Sequence, residues 1–210
     1  MSLKSFKTPL RYPGGKSRAC KKMEPFFPDL RDYDVYYEPF LGGGSVALHI
    51  TKKYPKLKIV VNDLYEPLYN FWLQLQVNGD YIHEELQQLK SRYPDRGSAR
   101  GLFEDAKEKL YDLDVTDKDR AVCFYIINKC SFSGLTESSS FSEQASDANF
   151  SMRGINKLPV YSKIIKDWYI TNVSYHHLLG DKEKTFVYLD PPYDIKDNLY
   201  GKKGSMHKKF

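Results

Sequence analysis

Four short apolar runs rich in aromatic and β-branched residues are spaced along the chain. They cover residues 35–40, 58–63, 168–171 and 186–189. Runs of this length that end in turn or acidic residues are typical of buried strands. The apolar run 46–50 follows a group of glycines and predicts a helix between the first two strands. This order predicts an α/β fold with an open, mainly parallel sheet.

A long helical pattern separates the second strand from the third. Apolar residues recur at helical spacing over about residues 66–129, first at Leu68, Phe71, Trp72 and Leu75. We interpret them as core residues and assign them no chemistry. The pattern predicts a discontinuous core domain of residues 1–64 and 160–210, with a helical insertion at 65–159.

The periodicity fails between about residues 131 and 156, where Ser, Asn, Gly and Phe dominate. A polar loop of this length inside a compact chain is usually functional. Its side chains can reach base edges, and Arg153, Lys157 and Lys163 nearby can meet phosphates. The alternative is a solvated linker.

Gly42, Gly43 and Gly44 stand between the first predicted strand and the helix that follows. Strand, glycine turn and helix form the opening of a nucleotide-binding βαβ unit, in which the helix N-terminus points at the ligand. The next strand ends at Asp63, about 20 residues further on, which is the spacing expected for an acid that binds ribose hydroxyls. A plain tight turn is the alternative interpretation.

The last strand reaches Asp190, Pro191 and Pro192 and then Tyr193. Proline fixes φ and lacks a backbone donor, so the strand must stop at Asp190. That places a carboxylate at the carboxyl end of a strand, where ligands bind in open α/β sheets. The alternative is a strand that merely ends in a proline turn.

A glycine turn at residues 10–16 delivers Lys16 to the start of a predicted helix. Lysine offers a point charge to an anionic group, and glycine lets a ligand approach the backbone. The spacing of a phosphate-binding P-loop is absent, because only Gly14 and Gly15 precede the lysine.

The chain of 210 residues has 41% hydrophobic and 15% aromatic residues, which excludes a disordered protein. Its net charge of +5 is compatible with an anionic partner but does not identify one. Cys20, Cys123 and Cys130 form no CxxC pair, so neither a disulfide framework nor a zinc site is expected. No run is long enough for a membrane span and no signal peptide is evident, so we expect a soluble, cytoplasmic protein without a metal.

Four motifs in order resemble those of one family. They are Tyr12-Pro-Gly-Gly-Lys16, Glu38-Pro-Phe-Leu-Gly-Gly-Gly-Ser45, Val61-Asn-Asp63 and Asp190-Pro-Pro-Tyr193. Together they resemble the Dam-like (D12 class) DNA adenine-N6 methyltransferases over about residues 8–195. The segment from Asn128 to Leu135 is similar to the family's Asn-x-x-x-Phe-Asn-Gly-Leu stretch in the target-recognition region.

The resemblance implies a Rossmann-like methyltransferase core that uses S-adenosylmethionine, with a target-recognition insertion. It implies methyl transfer to adenine N6 in duplex DNA, by direct attack after the base is flipped out. It assigns cofactor contacts to Tyr12, Gly15, Lys16, Glu38, Phe40, Gly42, Gly44, Asp63 and Asp190. It assigns catalysis to Asp190, Pro191, Pro192 and Tyr193, and DNA contacts to Asn128, Ser133, Gly134, Leu135, Glu137 and Arg153.

Three departures from the family pattern shape the expectations. Thr136 and Glu137 stand where the family commonly has a base-reading arginine, so we expect a target other than GATC. Asn172 or Ser174 replaces an acid that contacts the cofactor's adenine. The chain also stops about 17 residues after Tyr193, where the family continues, which suggests a C-terminal truncation and an open sheet edge.

Two rival functions stay open at this point. One is a catalytically inactive DNA-binding remnant of such an enzyme. The other is a methyltransferase acting on RNA or on a protein amide, because an amide nitrogen has a similarly delocalised lone pair. The sequence does not determine the oligomeric state, or whether the role is restriction, regulation or phage modification.

Overall fold

The computed structural model describes residues 7–12, 14–132, 139–177 and 183–192. Its centre is a four-stranded sheet in the order β3-β2-β1-β4, in which every pair is parallel. The strands are β1 Val35–Glu38, β2 Lys58–Asn62, β3 Tyr169–Thr171 and β4 Thr185–Val187. The predicted α/β class with a parallel sheet is therefore confirmed.

Nine α-helices are found in the described residues. They are α1 Cys20–Met23, α2 Ser45–Lys53, α3 Glu66–Val77, α4 Gly79–Arg92, α5 Arg96–Lys109, α6 Asp117–Cys130, α7 Glu143–Asn149, α8 Met152–Ile155 and α9 Leu158–Ile165. The long helical pattern of the sequence is thus divided into α3 to α6. Proline at the first turn of α3 and of α9 suits a helix start, where the backbone N–H has no helical partner.

The strand order creates a topological switch point between β1 and β4. The chain moves outward from β1 to β2 and then β3, and it then crosses back to place β4 on the other side of β1. In parallel sheets of this kind, the crevice outside the carboxyl ends of the two strands at the switch point is where ligands bind. The site is therefore expected beyond Glu38 at the end of β1 and beyond the end of β4.

One hydrophobic core joins the sheet to the helices. Its largest fully buried side chains include Tyr36 of β1, Trp72 of α3 and Tyr125 of α6. The helix α6 is buried along nearly its whole length, because α3, α4, α5 and α7 all pack against it. The proposed division into core and insertion domains stays a prediction, since this core runs through both.

The polar stretch at 131–156 differs from the predicted loop. It contains α7 and α8, each of which starts at a serine that caps the helix. Ser142 Oγ accepts from the Ala145 N–H at 3.2 Å, and Ser151 Oγ accepts from the Gly154 N–H at 3.3 Å. The sequence interpretation as a loop was wrong here, because serine also favours the N-cap position of helices.

Two smaller differences concern element ends. The helix α1 begins at Cys20, four residues after Lys16, whose carbonyl accepts the N–H groups of Ala19 and Cys20. The strand β4 ends at Val187 rather than at residue 189, although the Tyr188 N–H still donates to the Tyr37 carbonyl at 2.8 Å. No helix among the described residues has the length and apolar character that crossing a membrane requires.

Candidate active site

The turn after β1 is shaped by two glycines with positive φ. Gly42 has φ +50° and Gly44 has φ +67°, values that side chains with a Cβ rarely adopt. The Gly44 N–H donates to the Leu41 carbonyl at 2.8 Å and closes the turn, and Gly44 is also the N-cap of α2. The predicted glycine turn at a helix N-terminus is therefore present.

Trp72 of α3 supports this turn from the core. Its indole Nε1 donates to the Gly42 carbonyl at 3.1 Å, and a Cβ added to Gly44 would lie 2.7 Å from Trp72 Cζ2. From the sequence we assigned Trp72 to the core alone. The signal that could have found this role is the indole N–H, which needs a partner when the ring is buried.

Asp63 follows β2 and braces the same turn. Its Oδ2 accepts from the Gly42 N–H at 2.8 Å, and its Oδ1 accepts from the Tyr65 N–H at 3.0 Å. Burial raises the pKa of this carboxyl to about 6, against the two backbone bonds that lower it. Each carboxylate oxygen has more than one acceptor site, so these bonds leave capacity for ribose hydroxyls.

Glu38 ends β1 and is 3% exposed. The Tyr36 hydroxyl donates to its Oε2 at 2.7 Å. Burial raises the pKa of Glu38 to about 8, and the nearby charges of Asp190 and Asp63 act in the same direction. Three carboxyl groups therefore lie together at the carboxyl edge of the sheet, on β1, after β2 and after β4.

Lys16 and Asp190 form an ion pair across this edge. Lys16 Nζ lies 2.6 Å from Asp190 Oδ2 and 3.0 Å from the Gly14 carbonyl oxygen. Both side chains are about one-fifth exposed. Pro191 and Pro192 follow in coil, as the proline argument predicts, whereas Tyr193 lies outside the described residues. The lysine predicted to contact the cofactor therefore contacts the predicted catalytic carboxylate.

Tyr12, Gly15 and Phe40 complete the predicted cofactor set. The Tyr12 ring packs against the glycine turn, where a Cβ on Gly42 would lie 2.8 Å from Tyr12 Cε1. The Gly15 N–H donates to the Tyr12 carbonyl at 3.1 Å. The Phe40 ring, after β1, lies 5.4 Å from the ring of Tyr175. All nine predicted cofactor residues thus lie near one edge of the sheet, on β1, β2, β4 or the segments that follow or face them.

The end of β3 contributes a further polar group. Asn172 Nδ2 donates to the Asp63 carbonyl at 2.7 Å. Of the two residues considered as replacements for the family's acid, Asn172 therefore lies directly beside Asp63. Its role toward the cofactor stays a prediction.

Of the six predicted DNA-contact residues, the structure describes Asn128 and Arg153. Asn128 is fully buried near the end of α6, and its amide binds the backbone of Arg11. Arg153 on α8 is exposed, as are Lys157 and Lys163. The remaining predicted contacts, Ser133, Gly134, Leu135 and Glu137, lie outside the described residues.

The composition of this edge fits S-adenosylmethionine. That compound carries a positive sulfonium and a positive ammonium, and the edge presents Glu38, Asp63 and Asp190. Its ribose needs acceptors, which Asp63 offers, and its carboxylate needs a donor, which Lys16 offers. Among the described residues, no group of three His, Cys, Asp or Glu side chains is arranged to hold a metal ion.

Comparison with known proteins identifies a family. Residues 12–210 match the family model described as D12 class N6 adenine-specific DNA methyltransferase. The Type II methyltransferase M.MjaIII of Methanocaldococcus jannaschii is 27% identical over 92% of this chain and 70% of its own length. The Type II methyltransferase M.CviBI of Paramecium bursaria Chlorella virus NC1A is 24% identical over 91% of this chain and 71% of its own. The Modification methylase StsI of Streptococcus sanguinis is 24% identical over 96% of this chain, which spans only 31% of that relative.

Proposed function

The chain belongs to the D12 class of N6 adenine-specific DNA methyltransferases, and on that premise we propose that it transfers a methyl group from S-adenosylmethionine to adenine N6 in duplex DNA. The observation that carries this proposal is the position of Asp190. It lies just after β4, at the switch point of the sheet, and its carboxylate is paired with Lys16 at 2.6 Å.

The cofactor is held by the carboxyl edge of the sheet. Asp63 accepts from its ribose hydroxyls, and the glycine turn lets it approach the backbone at the N-terminus of α2. Asp190 provides negative charge near its cationic groups, Glu38 offers a carboxyl group that burial keeps protonated near neutral pH by raising its pKa to about 8, and Lys16 provides a donor. When bound, S-adenosylmethionine supplies a methyl group on a positively charged sulfur, which makes the methyl carbon electrophilic.

Asp190 and the Pro191 carbonyl activate the amine. The adenine amine is a poor nucleophile because its lone pair is delocalised into the ring. If both oxygens accept its N–H groups, the nitrogen becomes pyramidal and its lone pair leaves conjugation. Alignment and fixed charges then supply the rate enhancement, and no covalent enzyme intermediate is needed.

The cysteines support direct transfer. A covalent route of the kind used for cytosine C5 needs a thiolate. Burial raises the pKa of Cys20 to about 11 and that of Cys123 and Cys130 to about 12, so all three thiols stay protonated near neutral pH. None of them follows a proline, and all three are buried.

The adenine must leave the duplex to reach Asp190, which costs a few kcal/mol of unstacking. Tyr193 is the proposed stacking partner, and an aromatic platform recovers roughly 1–3 kcal/mol per base. The exposed cations of Arg153, Lys157 and Lys163 suit contact with DNA phosphates.

The experiment is a methyl-transfer assay with radiolabelled S-adenosylmethionine and the 210-residue chain. Duplex DNA, RNA and protein are supplied separately and then in competition, and the DNA is digested and analysed for N6-methyladenine. The proposal requires label in DNA as N6-methyladenine. Label in RNA or protein alone supports the second rival function, and DNA binding without any transfer supports the inactive remnant.

Sequencing of the methylated DNA tests the target. Because Glu137 replaces a base-reading arginine, we expect methylation at a sequence other than GATC. A map that returns GATC alone refutes this expectation and leaves the assignment of the reaction intact.

A further inference from the structure

The N-terminal segment, residues 7–12 and 14–16, joins the helices to the glycine turn. The Tyr161 hydroxyl of α9 donates to a backbone carbonyl at the start of the segment. Thr8 Oγ1 donates to the Gly43 carbonyl in the glycine turn. Side chains of this segment therefore meet the turn directly, and the backbone of the segment is attached to the helical layer.

Asn128 makes the central attachment. Its Oδ1 accepts from the Arg11 N–H at 2.9 Å, and its Nδ2 donates to the Arg11 carbonyl at 2.6 Å. One side chain thus satisfies both backbone groups of one residue, as a neighbouring strand would. Asn128 lies near the C-terminal end of α6, a 14-residue helix whose last ten residues are buried, so the attachment point is rigid.

The Arg11 side chain adds a second connection to the same place. Its Nη1 donates to the Ser131 carbonyl at 2.7 Å, directly after α6. Half-burial lowers the pKa of Arg11, and the bond to a helix-end carbonyl is favourable for a cation. Arg11 is therefore held through its backbone by Asn128 and through its guanidinium by the end of α6.

Two residues that follow Arg11 contact the proposed cofactor site. Tyr12 follows at once, and its ring packs on Gly42. Lys16 lies five residues beyond Arg11 and pairs with Asp190. A shift of the Arg11 backbone therefore moves both the ring and the cation relative to the proposed cofactor site.

We propose that Asn128 is a positioning residue for cofactor binding: by fixing the backbone of Arg11, it sets where Tyr12 and Lys16 meet the glycine turn and Asp190. This inference rests on the proposed function and deepens it. It gives Asn128 a task that needs no contact with DNA, in agreement with its complete burial.

The two possible roles of Asn128 differ in one observable. If Asn128 contacts DNA, its removal weakens DNA binding and leaves cofactor binding without DNA unchanged. If Asn128 positions the N-terminal segment, its removal weakens cofactor binding even when no DNA is present. Cofactor affinity in the absence of DNA therefore separates the roles.

The experiment is calorimetric titration of the purified chain with S-adenosylmethionine, without DNA. It compares the unchanged chain, Asn128→Ala, and the matched control Gln76→Ala. Gln76 also uses a side-chain amide to join two segments: its Nε2 donates to the carbonyls of Ile165 at 2.7 Å and Trp168 at 2.9 Å. Those residues lie just before β3, at the other end of the sheet from the glycine turn.

We expect Asn128→Ala to raise the cofactor Kd by about tenfold or more, since two backbone bonds of ordinary strength are lost. Gln76→Ala should lower the melting temperature to a similar extent and change the Kd by less than about twofold. Equal cofactor affinity of the two variants overturns the inference, because loss of stability alone then accounts for the effect.

A second variant covers the case in which Asn128→Ala fails to fold. Asn128→Leu keeps nearly the same volume and buries no charge, but it can neither accept from the Arg11 N–H nor donate to the Arg11 carbonyl. It should fold and bind the cofactor at least about fivefold more weakly. Normal affinity in this variant overturns the inference, and failure of the unchanged chain to bind S-adenosylmethionine overturns the proposed function instead.

Discussion

The carboxyl edge and the amino edge of the same sheet both hold carboxylates, but they hold them differently. At the carboxyl edge, Glu38 and Asp63 are buried, and burial raises the pKa of each. At the amino edge, Asp29 is exposed and paired with its neighbour Arg31 at 2.5 Å, and the bond to Arg31 lowers the pKa of Asp29 to about 2. The first arrangement opposes ionisation, and the second favours it.

The amino edge of the sheet also holds a cavity. The described residues form a cavity of about 1250 Å³ lined by Phe27, Tyr33, Tyr54 and other residues that precede β1 and β2. A large pocket is the usual first candidate for a ligand site. Among its lining residues, Asp29 pairs with Arg31, and Lys53 pairs with Glu24. Because ligands of parallel sheets bind beyond the carboxyl ends of the strands, strand polarity favours the opposite edge as the site.

Asp190→Ala should produce the largest difference between the two edges. Loss of the carboxylate removes the proposed acceptor for the adenine amine, so methyl transfer should fall by at least about a thousandfold, while DNA binding is kept. Asp29→Ala, the control at the amino edge, should leave the rate within about twofold, because exposed ion pairs contribute little. Single-turnover methylation and a DNA-binding titration measure the two effects, and near-normal turnover in Asp190→Ala contradicts the assignment.

Gly44→Ala should have the second largest effect, because it disrupts the glycine turn. A Cβ at Gly44 meets Trp72 at 2.7 Å and a non-glycine residue at φ +67° is strained by about 1–2 kcal/mol. We expect both a lower melting temperature and at least about tenfold weaker cofactor binding. Gly101→Ala is the control, since nothing lies within 4 Å of its Cβ position in α5; it should stabilise the chain by about 0.5–1 kcal/mol. If Gly44→Ala and Gly101→Ala have the same melting temperature and cofactor affinity, the turn does not require glycine at position 44.

Lys16→Met should reduce turnover more moderately. It removes the cation that lies 2.6 Å from Asp190 but keeps most of the side-chain volume. We expect the methylation rate to fall by roughly 10–100-fold, as a charged hydrogen bond at a reacting group is lost. Lys53→Met removes the partner of Glu24 at the amino edge and should change the rate by less than about twofold. Rates measured at saturating cofactor and DNA separate this effect from weaker binding.

Glu38→Gln should have the smallest effect, seen as a change in pH dependence. The pKa of Glu38 is about 8 in the folded chain and 4.5 ordinarily. Between these two pH values the folded chain keeps a proton on Glu38 that the unfolded chain has lost, so the free energy of unfolding falls as pH rises. The slope contributed by one such group is at most about 1.4 kcal/mol per pH unit. Above about pH 6, the pKa of Asp63, that carboxyl contributes little further change, so Glu38 can be followed by itself up to about pH 8. In this range Glu38→Gln should lose the fall of stability with pH. Urea unfolding across the window tests it, and parallel curves for both proteins remove the basis for a buried, neutral Glu38.

The strands, the glycine turn and the proline stop were predictable from the sequence because each depends on local chemistry. Consecutive β-branched and aromatic residues predicted β1 and β2 to within two residues. The two prolines predicted that the last strand stops by Asp190, and β4 ends at Val187. The order of strands in the sheet was not predicted, since it depends on which distant segments pair. The switch point that places Asp190 beside Glu38 was visible only in the fold.

The hydrogen-bond partners of Trp72, Asn128 and Arg11 could not be predicted, for the same reason. Trp72 is 30 residues from Gly42, and Asn128 is 117 residues from Arg11, yet each is hydrogen-bonded to its distant partner. The sequence around Trp72 and Asn128 is helical and apolar, which indicates core packing and nothing more, and Arg11 stands in a glycine turn that does not indicate its partner. The serine caps of α7 and α8 were a local signal that a loop interpretation missed.

Our central proposal is that residues at the carboxyl edge of the sheet catalyse methyl transfer to adenine N6 in DNA. The most direct measurement is mass spectrometry of nucleosides from duplex DNA incubated with the chain and S-adenosylmethionine. We expect N6-methyladenine with the unchanged chain and none with Asp190→Ala. Methylation confined to cytosine, or equal N6-methyladenine from both proteins, contradicts it.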